Sequence, residues 1–377
     1  EFTSVCHFCG CGCGTIGYVK DGKLINLEGA ADAPVNRGGL CPKGLGYGHI
    51  PNAELRPKCP MYRAPGSDHW EEISWEEAID RAARAMKKAR DENWIGEDEA
   101  NGYKFMSNRT DAIGFVGGSQ VNNEECYQLI KMARALGVVF IDNQTRVCHA
   151  TTPPALNAAF GRGAMTGSWY NLKHAKMIWI EGSNMAECHP MAMKNVMEAR
   201  DNGAIVVHVD VRYTRTSRVA DHFFQLRPGT DIAFLGALIN YIIQNKKYDV
   251  DYLRRNTNAF CLLRDDFDFD AGIFSGYNEK TRTYNKETWG YKLDANGKPV
   301  KAPTMATKGT VMDRLAKHFS RYTFEKASAI TGMPVADIKK AAELFSTYTP
   351  TVMMYALGMT QHTIGVENIR CFTIIQL

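Results

Sequence analysis

From residue 113 onward, short continuous apolar runs alternate with stretches whose apolar residues recur every three to four positions. Residues 113–116, 138–141, 177–180, 205–211 and 351–356 read as strands that are apolar on both faces, and 123–136, 190–200, 231–245 and 335–345 read as helices, the last with Pro334 at its first helical position. Strands of that kind, alternating with helices, predict an α/β fold with parallel, Rossmann-like sheets covered on both sides.

The first hundred residues follow other rules. Apolar and polar positions alternate over 15–27 around Asp21-Gly22, a two-residue hairpin signal, so a small β-rich unit is expected. Pro51, Pro57, Pro60 and Pro65 interrupt any regular element and mark a connection. Ser74, with Glu77 three residues on, predicts the capped start of a helix running to about Arg90, with Trp75, Ile79, Ala82, Ala83 and Met86 on one face. Periodicity dissolves over 265–310, a surface excursion with a hairpin turn at Asn296-Gly297. The sequence ends at Leu377 within a helical pattern that has no cap, so the fold is expected to be completed by further polypeptide.

These signals divide the chain into 1–60, a discontinuous domain of 61–145 plus 346–377, and a domain of 146–345 carrying the excursion. A length of 377 residues with 45% hydrophobic content suits two or three domains. Lys and Arg exceed Asp and Glu by four (45 against 41) and form no stripe, which argues against nucleic acid as a partner. The longest apolar candidate, 232–243, is broken by Gly236 and Asn240 and is too short to cross a bilayer. No basic and apolar leader precedes the first cysteine, so localisation must be argued from other features.

Eleven cysteines change the picture. Cys6, Cys9 and Cys13, followed after 27 residues by Cys41, supply the four thiolates that a [4Fe-4S] cube requires. Gly10, Gly12 and Gly14 suit a backbone that wraps closely around such a body. A four-cysteine zinc site usually shows two paired knuckles, whereas here the second has Cys41 alone. A disulfide framework belongs to small secreted domains and does not suit a chain of this length. Cys11, Cys59, Cys126, Cys188, Cys261 and Cys371 show no regular spacing and read as small buried hydrophobes.

In a doubly wound sheet, ligands sit outside the carboxyl ends of the strands. The segments there are Gly117-Gly118-Ser119-Gln120, Gly182 to Glu187, Asp210-Val211-Arg212 and Gly358-Met359-Thr360-Gln361-His362. None is a dinucleotide fingerprint or a Walker loop, so a plain NAD or ATP enzyme is not indicated. Asp210 ends a buried strand, where an acid accepts hydrogen bonds from a ribose or a guanine edge. Arg146-Val147-Cys148-His149 follows the strand at 138–141 without apolar periodicity. It reads either as an inert loop cysteine or as a thiolate that ligates a metal or attacks a substrate, with His149 as a proton-transfer group.

Taken together, Cys6-His7-Phe8-Cys9 with Cys13, Leu40-Cys41-Pro42-Lys43-Gly44, Arg146-Val147-Cys148-His149 and Gly161 to Thr166 closely resemble the catalytic subunit of molybdenum or tungsten formate dehydrogenases. These belong to the bis-molybdopterin guanine dinucleotide oxidoreductases. Asn184 to Pro190, Asp210 to Thr216 and Gly229 to Ala233 extend the resemblance, which covers the chain apart from the excursion.

The resemblance implies a [4Fe-4S] cluster, two molybdopterin guanine dinucleotides, and Mo or W carrying a terminal sulfido or oxo ligand. Cys148, where the family carries selenocysteine or cysteine, would ligate that metal, and His149 would handle protons. Lys43 would bridge cluster and pterin. Asn184, Glu187, His189, Asp210, Arg212, Gly229 and Asp231 would cradle one guanine dinucleotide, while Gly358, Thr360, Gln361 and His362 would lie near the other cofactor and the metal. The family's formate-orienting arginine is expected beyond Leu377 and is not Arg370. The implied reaction is two-electron oxidation of formate to CO2, with electrons leaving through the cluster to an iron-sulfur partner subunit. Residues 142–145 and 351–376 look most like the exported respiratory type, which implies a periplasmic setting. A nitrate reductase of the same fold, or an iron-sulfur electron-transfer protein with no pterin, is the alternative. Histidine directly after the ligand cysteine speaks for formate.

Overall fold

The structure is a computed structural model describing residues 1–270 and 272–377. The chain divides into two compact units, one of residues 1–150 with 188–195 and one of 151–187 with 196–377.

The first unit opens with a three-stranded antiparallel sheet of Phe2–Val5, Gly14–Lys20 and Lys23–Gly29. Asp21 and Gly22 take φ of 51° and 73°, the left-handed pair that a two-residue hairpin needs, as the alternation predicts. Ser74 caps the helix Trp75–Glu92 by accepting the Glu77 amide at 3.1 Å. Trp75 and Ile79 on its apolar face are 66% and 63% exposed, so that face is not core among the described residues. A second sheet then departs from the expected parallel pattern. Trp94–Ala100 and the long Tyr103–Gly117 form an antiparallel hairpin, and Val138–Asn143 adds in parallel to Tyr103–Gly117. Its turn is Asn101-Gly102, with φ of 54° and 80°. That signal stands in the sequence but is masked there by flanking charges at Glu97, Asp98 and Glu99. Asn122 and Glu125 close a capping box on the helix Asn123–Ala135.

The second unit is a four-stranded parallel sheet in the order His222–Gln225, Ile205–Asp210, Met177–Glu181, Thr351–Tyr355. The closing strand pairs with the central one, Met353 opposite Trp179. Residues 346–377 therefore belong with 151–345, where the sequence pattern suggests the 61–145 domain. A parallel neighbour is chosen by a crossover that local periodicity does not report. The segment 151–187 likewise continues directly into this sheet. The helix Asp231–Gln244 is buried along most of its length because it lies in the core, with Phe234 stacked on Trp179 at 6.0 Å and Phe345 edge-on to the same ring at 5.5 Å. Each such buried ring or aliphatic side chain contributes about 1.5–3 kcal/mol. Pro334 stands just before the helix Val335–Thr347 as its N-cap rather than inside it. The excursion folds into small hairpins, and Gly297 turns with φ of 74° between Leu293 and Pro299 as expected. No helix among the described residues is long and apolar enough to cross a membrane.

Of the cysteines expected as buried small hydrophobes, Cys11, Cys261 and Cys371 are buried, Cys59 and Cys188 are partly so, and Cys126 is exposed.

Candidate functional site

Within the first unit the cysteine loop is closed at its base. The Cys6 amide donates to the Cys13 carbonyl at 2.9 Å, and the Gly12 amide to the Cys9 carbonyl at 3.3 Å. Cys41 stands at the N-terminus of the short helix Pro42–Gly46, which also carries Lys43. Asn36, fully buried, joins the two arms. Its Oδ1 accepts the Gly14 amide at 3.0 Å, and its Nδ2 donates to the carbonyls of Gly14 and Gly39 at 2.9 and 3.0 Å. Sequence reasoning does not single out Asn36, because a lone asparagine in a loop carries no periodic or spacing signal.

The thiols of Cys6, Cys9 and Cys41 all act on that of Cys13. Burial, then the proximity of Cys6, Cys9 and Cys41, pushes the Cys13 thiol up to about 11. Mutual repulsion of that kind is what binding iron relieves, so the donor set fits a four-thiolate cluster. Among the described residues no three His, Cys, Asp or Glu converge on a point as a single metal ion would require. A cube instead needs its thiolates spread around a body. Cys11 acquires a place as well. Its thiol hydrogen-bonds Cys9, which brings Cys9 down to about 6 with help from Lys43 and holds Cys11 itself well above its ordinary range.

In the same unit Cys148 ends the turn Thr145–Cys148 and is half-buried. Asn143 positions that turn: its Oδ1 accepts the Thr145 amide at 3.0 Å, while its Nδ2 donates to the Gly118 carbonyl at 3.0 Å. The loop of Ser119 and Gln120 is thereby tied to the segment that leads to Cys148. Arg146 is engaged by Asp142 at 2.9 Å, so its charge is shared with that carboxylate rather than turned wholly on the thiol. His149 follows as the C-cap of the turn.

The second unit brings the other predicted residues to the carboxyl end of its sheet. Thr216 Oγ1 donates to Asn184 Oδ1 at 3.0 Å and accepts the Ala186 amide at 3.0 Å; Asn184 Nδ2 also donates to Glu187, and Arg215 pairs with Glu187 at 3.3 Å. His362 Nε2 donates to the Gly358 carbonyl at 2.7 Å, and its Nδ1 lies 4.0 Å from where a Cβ on Gly229 would sit. Thr360, buried, meets Thr152 Oγ1 at 2.7 Å and accepts Thr151 Oγ1 on its carbonyl at 2.6 Å. Gln361 closes the short helix Leu357–Thr360, and Arg212 follows Asp210 in an exposed turn. At the centre, Gly182 and Gly358 touch backbone to backbone. The Gly358 amide donates to the Gly182 carbonyl at 3.1 Å, Gly182 has φ of 58°, and a Cβ on it would meet the Gly358 carbonyl carbon at 2.8 Å. Only glycine makes that approach, which leaves a flat cradle across two strand ends.

Charge in this cradle is divided. Burial raises Asp210, but hydrogen bonds from His208 and the Val211 amide outweigh it and hold the carboxylate below its usual range. His208 is fully buried and also meets Ser217 Oγ at 2.8 Å and the Ser183 carbonyl at 3.2 Å, so it links three strand-end segments. Sequence reasoning sees His208 as an interruption in an apolar strand. Burial pushes Asp231 up. It pushes Glu181 well above its ordinary range, reinforced by Asp231 and Asp210. His189 is not among this group; it lies in the unit of the cysteine loop.

Comparison with known proteins bears on this arrangement. Residues 56–375 match the molybdopterin oxidoreductase family, and residues 1–50 match the molybdopterin oxidoreductase Fe4S4 domain. Over its whole length the chain is 43% identical to the formate dehydrogenase subunit alpha of Megalodesulfovibrio gigas, and 43% identical to the nitrate-inducible formate dehydrogenase major subunit of Escherichia coli. It spans 38% of the length of each. Among solved structures, acetylene hydratase from Pelobacter acetylenicus superposes with a TM-score of 0.72 at 19% identity, over all of this chain and 43% of that one. That likeness establishes the fold.

Proposed function

Since this chain belongs to the molybdopterin oxidoreductase family and takes molybdopterin and a [4Fe-4S] cluster, we propose that it is part of a formate dehydrogenase catalytic subunit that oxidises formate to CO2. The single observation that carries the reading is 43% identity along the whole chain to two formate dehydrogenase subunits, with Cys148-His149 in place.

Cys6, Cys9, Cys13 and Cys41 would hold the cluster. Cys148 would ligate Mo or W, and the cradle of Asn184, Glu187, Asp210, Arg212, Gly229 and Asp231 would hold one guanine dinucleotide. Ser119, Gln120, Gly358, Thr360, Gln361 and His362 would contact the remaining cofactor surface. When bound, these groups supply the two-electron chemistry and its onward path. The chain supplies the rest. Asp210, held ionised, accepts hydrogen bonds from the N–H or hydroxyl edge of a nucleotide. His149, next to Cys148, takes the proton released from formate. Lys43 sets a positive charge beside the cluster loop and favours electron arrival there. A partner subunit with iron-sulfur centres would accept the electrons, and the resemblance of residues 142–145 and 351–376 to the exported respiratory type supports a periplasmic setting.

The test is to purify the full-length protein with its partners, determine Mo, W, Se and Fe by elemental analysis, and assay formate oxidation against nitrate reduction. Iron with Mo or W, guanine nucleotide on acid extraction, and turnover of formate are expected. Iron with neither Mo nor W would sink the enzyme reading, and nitrate turnover without formate turnover would sink the choice of substrate. Membrane-free fractionation of the periplasm checks the localisation.

A further inference from the structure

The resemblance groups His189 with Asn184 and Glu187 as a guanine-dinucleotide residue, and within its own unit the His189 ring lies against the cysteine loop. His189 Nδ1 lies 3.0 Å from Cys188 Sγ. Its Nε2 lies 3.6 Å from the position a Cβ would take on Gly10, the residue that follows the cluster ligand Cys9. A side chain at position 10 would enter the space beside the ring.

The two nitrogens of a neutral imidazole have opposite roles, and the partner of one decides the proton on the other. A thiol that donates S–H to Nδ1 leaves the proton on Nε2. The geometry points to Cys188 and His189 as a positioning pair in which Cys188 holds the imidazole in its Nε2–H form and His189 donates a hydrogen bond to a cluster sulfur at the Cys9 corner. This rests on the cysteines holding a [4Fe-4S] cluster and is independent of whether formate is the substrate. A hydrogen bond to a cluster sulfur stabilises the more negative, reduced state and raises the reduction potential. No residue of the dinucleotide cradle is required for it.

The test uses the cluster-loaded full-length enzyme, with iron content measured for every variant and the cluster titrated by electron paramagnetic resonance. His189→Leu is expected to lower the midpoint enough to change the oxidised-to-reduced ratio at fixed potential about tenfold, which is about 59 mV for a one-electron couple. His189→Gln, which keeps an N–H donor near the position of Nε2, is expected to stay near the wild-type midpoint. Cys188→Ala should shift it downward by less, and Cys188→Ser should restore it. Proton ENDOR in H2O and D2O supplies a second readout: an exchangeable proton coupled to the reduced cluster, present in the wild type and lost in His189→Leu. An unchanged midpoint and coupling in His189→Leu at full iron content would overturn the inference. If that variant does not assemble its cluster, Cys188→Ala decides, and an unshifted midpoint there overturns it equally. A wild-type protein with no [4Fe-4S] signal removes both this inference and the cluster assignment beneath it.

Discussion

Asn36 holds both backbone groups of Gly14, accepting its N–H at 3.0 Å and donating to its C=O at 2.9 Å. Gly14 follows Cys13 directly, and the third Asn36 bond, to the Gly39 carbonyl at 3.0 Å, reaches the approach to Cys41. One buried side chain therefore sets the distance between the two parts of the cysteine set.

Asn36→Ala removes three buried hydrogen bonds and strands the Gly14 amide. At about 1 kcal/mol for each bond, with the added cost of about 1–3 kcal/mol for an unpaired buried donor, the loss is about 4–6 kcal/mol. The measurable consequence is a substoichiometric cluster, read as iron per chain after anaerobic purification. Full iron content and an unshifted thermal midpoint in the variant would show that Asn36 does not organise the loop.

Gly182→Ala places a methyl group 2.8 Å from the Gly358 carbonyl carbon on a backbone with φ of 58°. Strain from both sources, roughly 1–3 kcal/mol for the overpacking alone, separates the two strand ends. Guanine nucleotide recovered by acid extraction is expected to fall severalfold while iron content holds. Equal loss of both would point to general unfolding rather than to the cradle.

Glu181 is fully buried, accepts Trp179 Nε1 at 2.8 Å, and its second oxygen, Oε1, has no hydrogen-bond partner among the described residues. Because its folded-state pKa lies well above the ordinary carboxylate value, the folded protein retains a proton that the unfolded chain releases. Stability attributable to this residue therefore falls as pH rises from the ordinary carboxylate range toward the raised value. Glu181→Gln keeps the acceptor for Trp179 and cannot ionise. Its denaturation midpoint is expected to match the wild type near pH 4 and to exceed it increasingly at higher pH; parallel curves across that range would refute a raised Glu181 pKa.

His149→Gln retains the approximate size of the ring but has no imidazole nitrogen to take up a proton. Loss of a positioned proton acceptor lowers turnover by about 10²–10⁴-fold. Formate oxidation by the full-length variant should drop by that order with metal and nucleotide content unchanged. Undiminished turnover would place proton transfer on another residue.

Local signals carried much of the architecture. The Asp21-Gly22 hairpin, the Ser74 cap and the strands at 177–181, 205–210 and 351–355 stand where alternation and capping residues place them, because each is decided by neighbours within a few positions. The Trp94–Ala100 strand escaped notice because its charges hide the alternation, although Asn101-Gly102 marks its turn. The apolar stripe of Trp75 and Ile79 predicted a helix correctly but not its burial, since a periodic face reports only that a surface is apolar.

By itself the sequence determined which chemistry-bearing residues are present: four cysteines at cluster spacing, Cys148-His149 after a strand, and small polar loops at strand ends. Spacing along a chain is enough for that, because ligand type and reach are local properties. Tertiary structure decided how those residues are held and charged. Thr351–Tyr355 joins the central strand through a long crossover, Asn36 and His208 tie together segments distant in sequence, and His189 lies against Gly10 of the cysteine loop. The downward shift of Asp210 and the upward shift of Glu181 depend in the same way on burial and on neighbouring groups, which no reading of one segment contains.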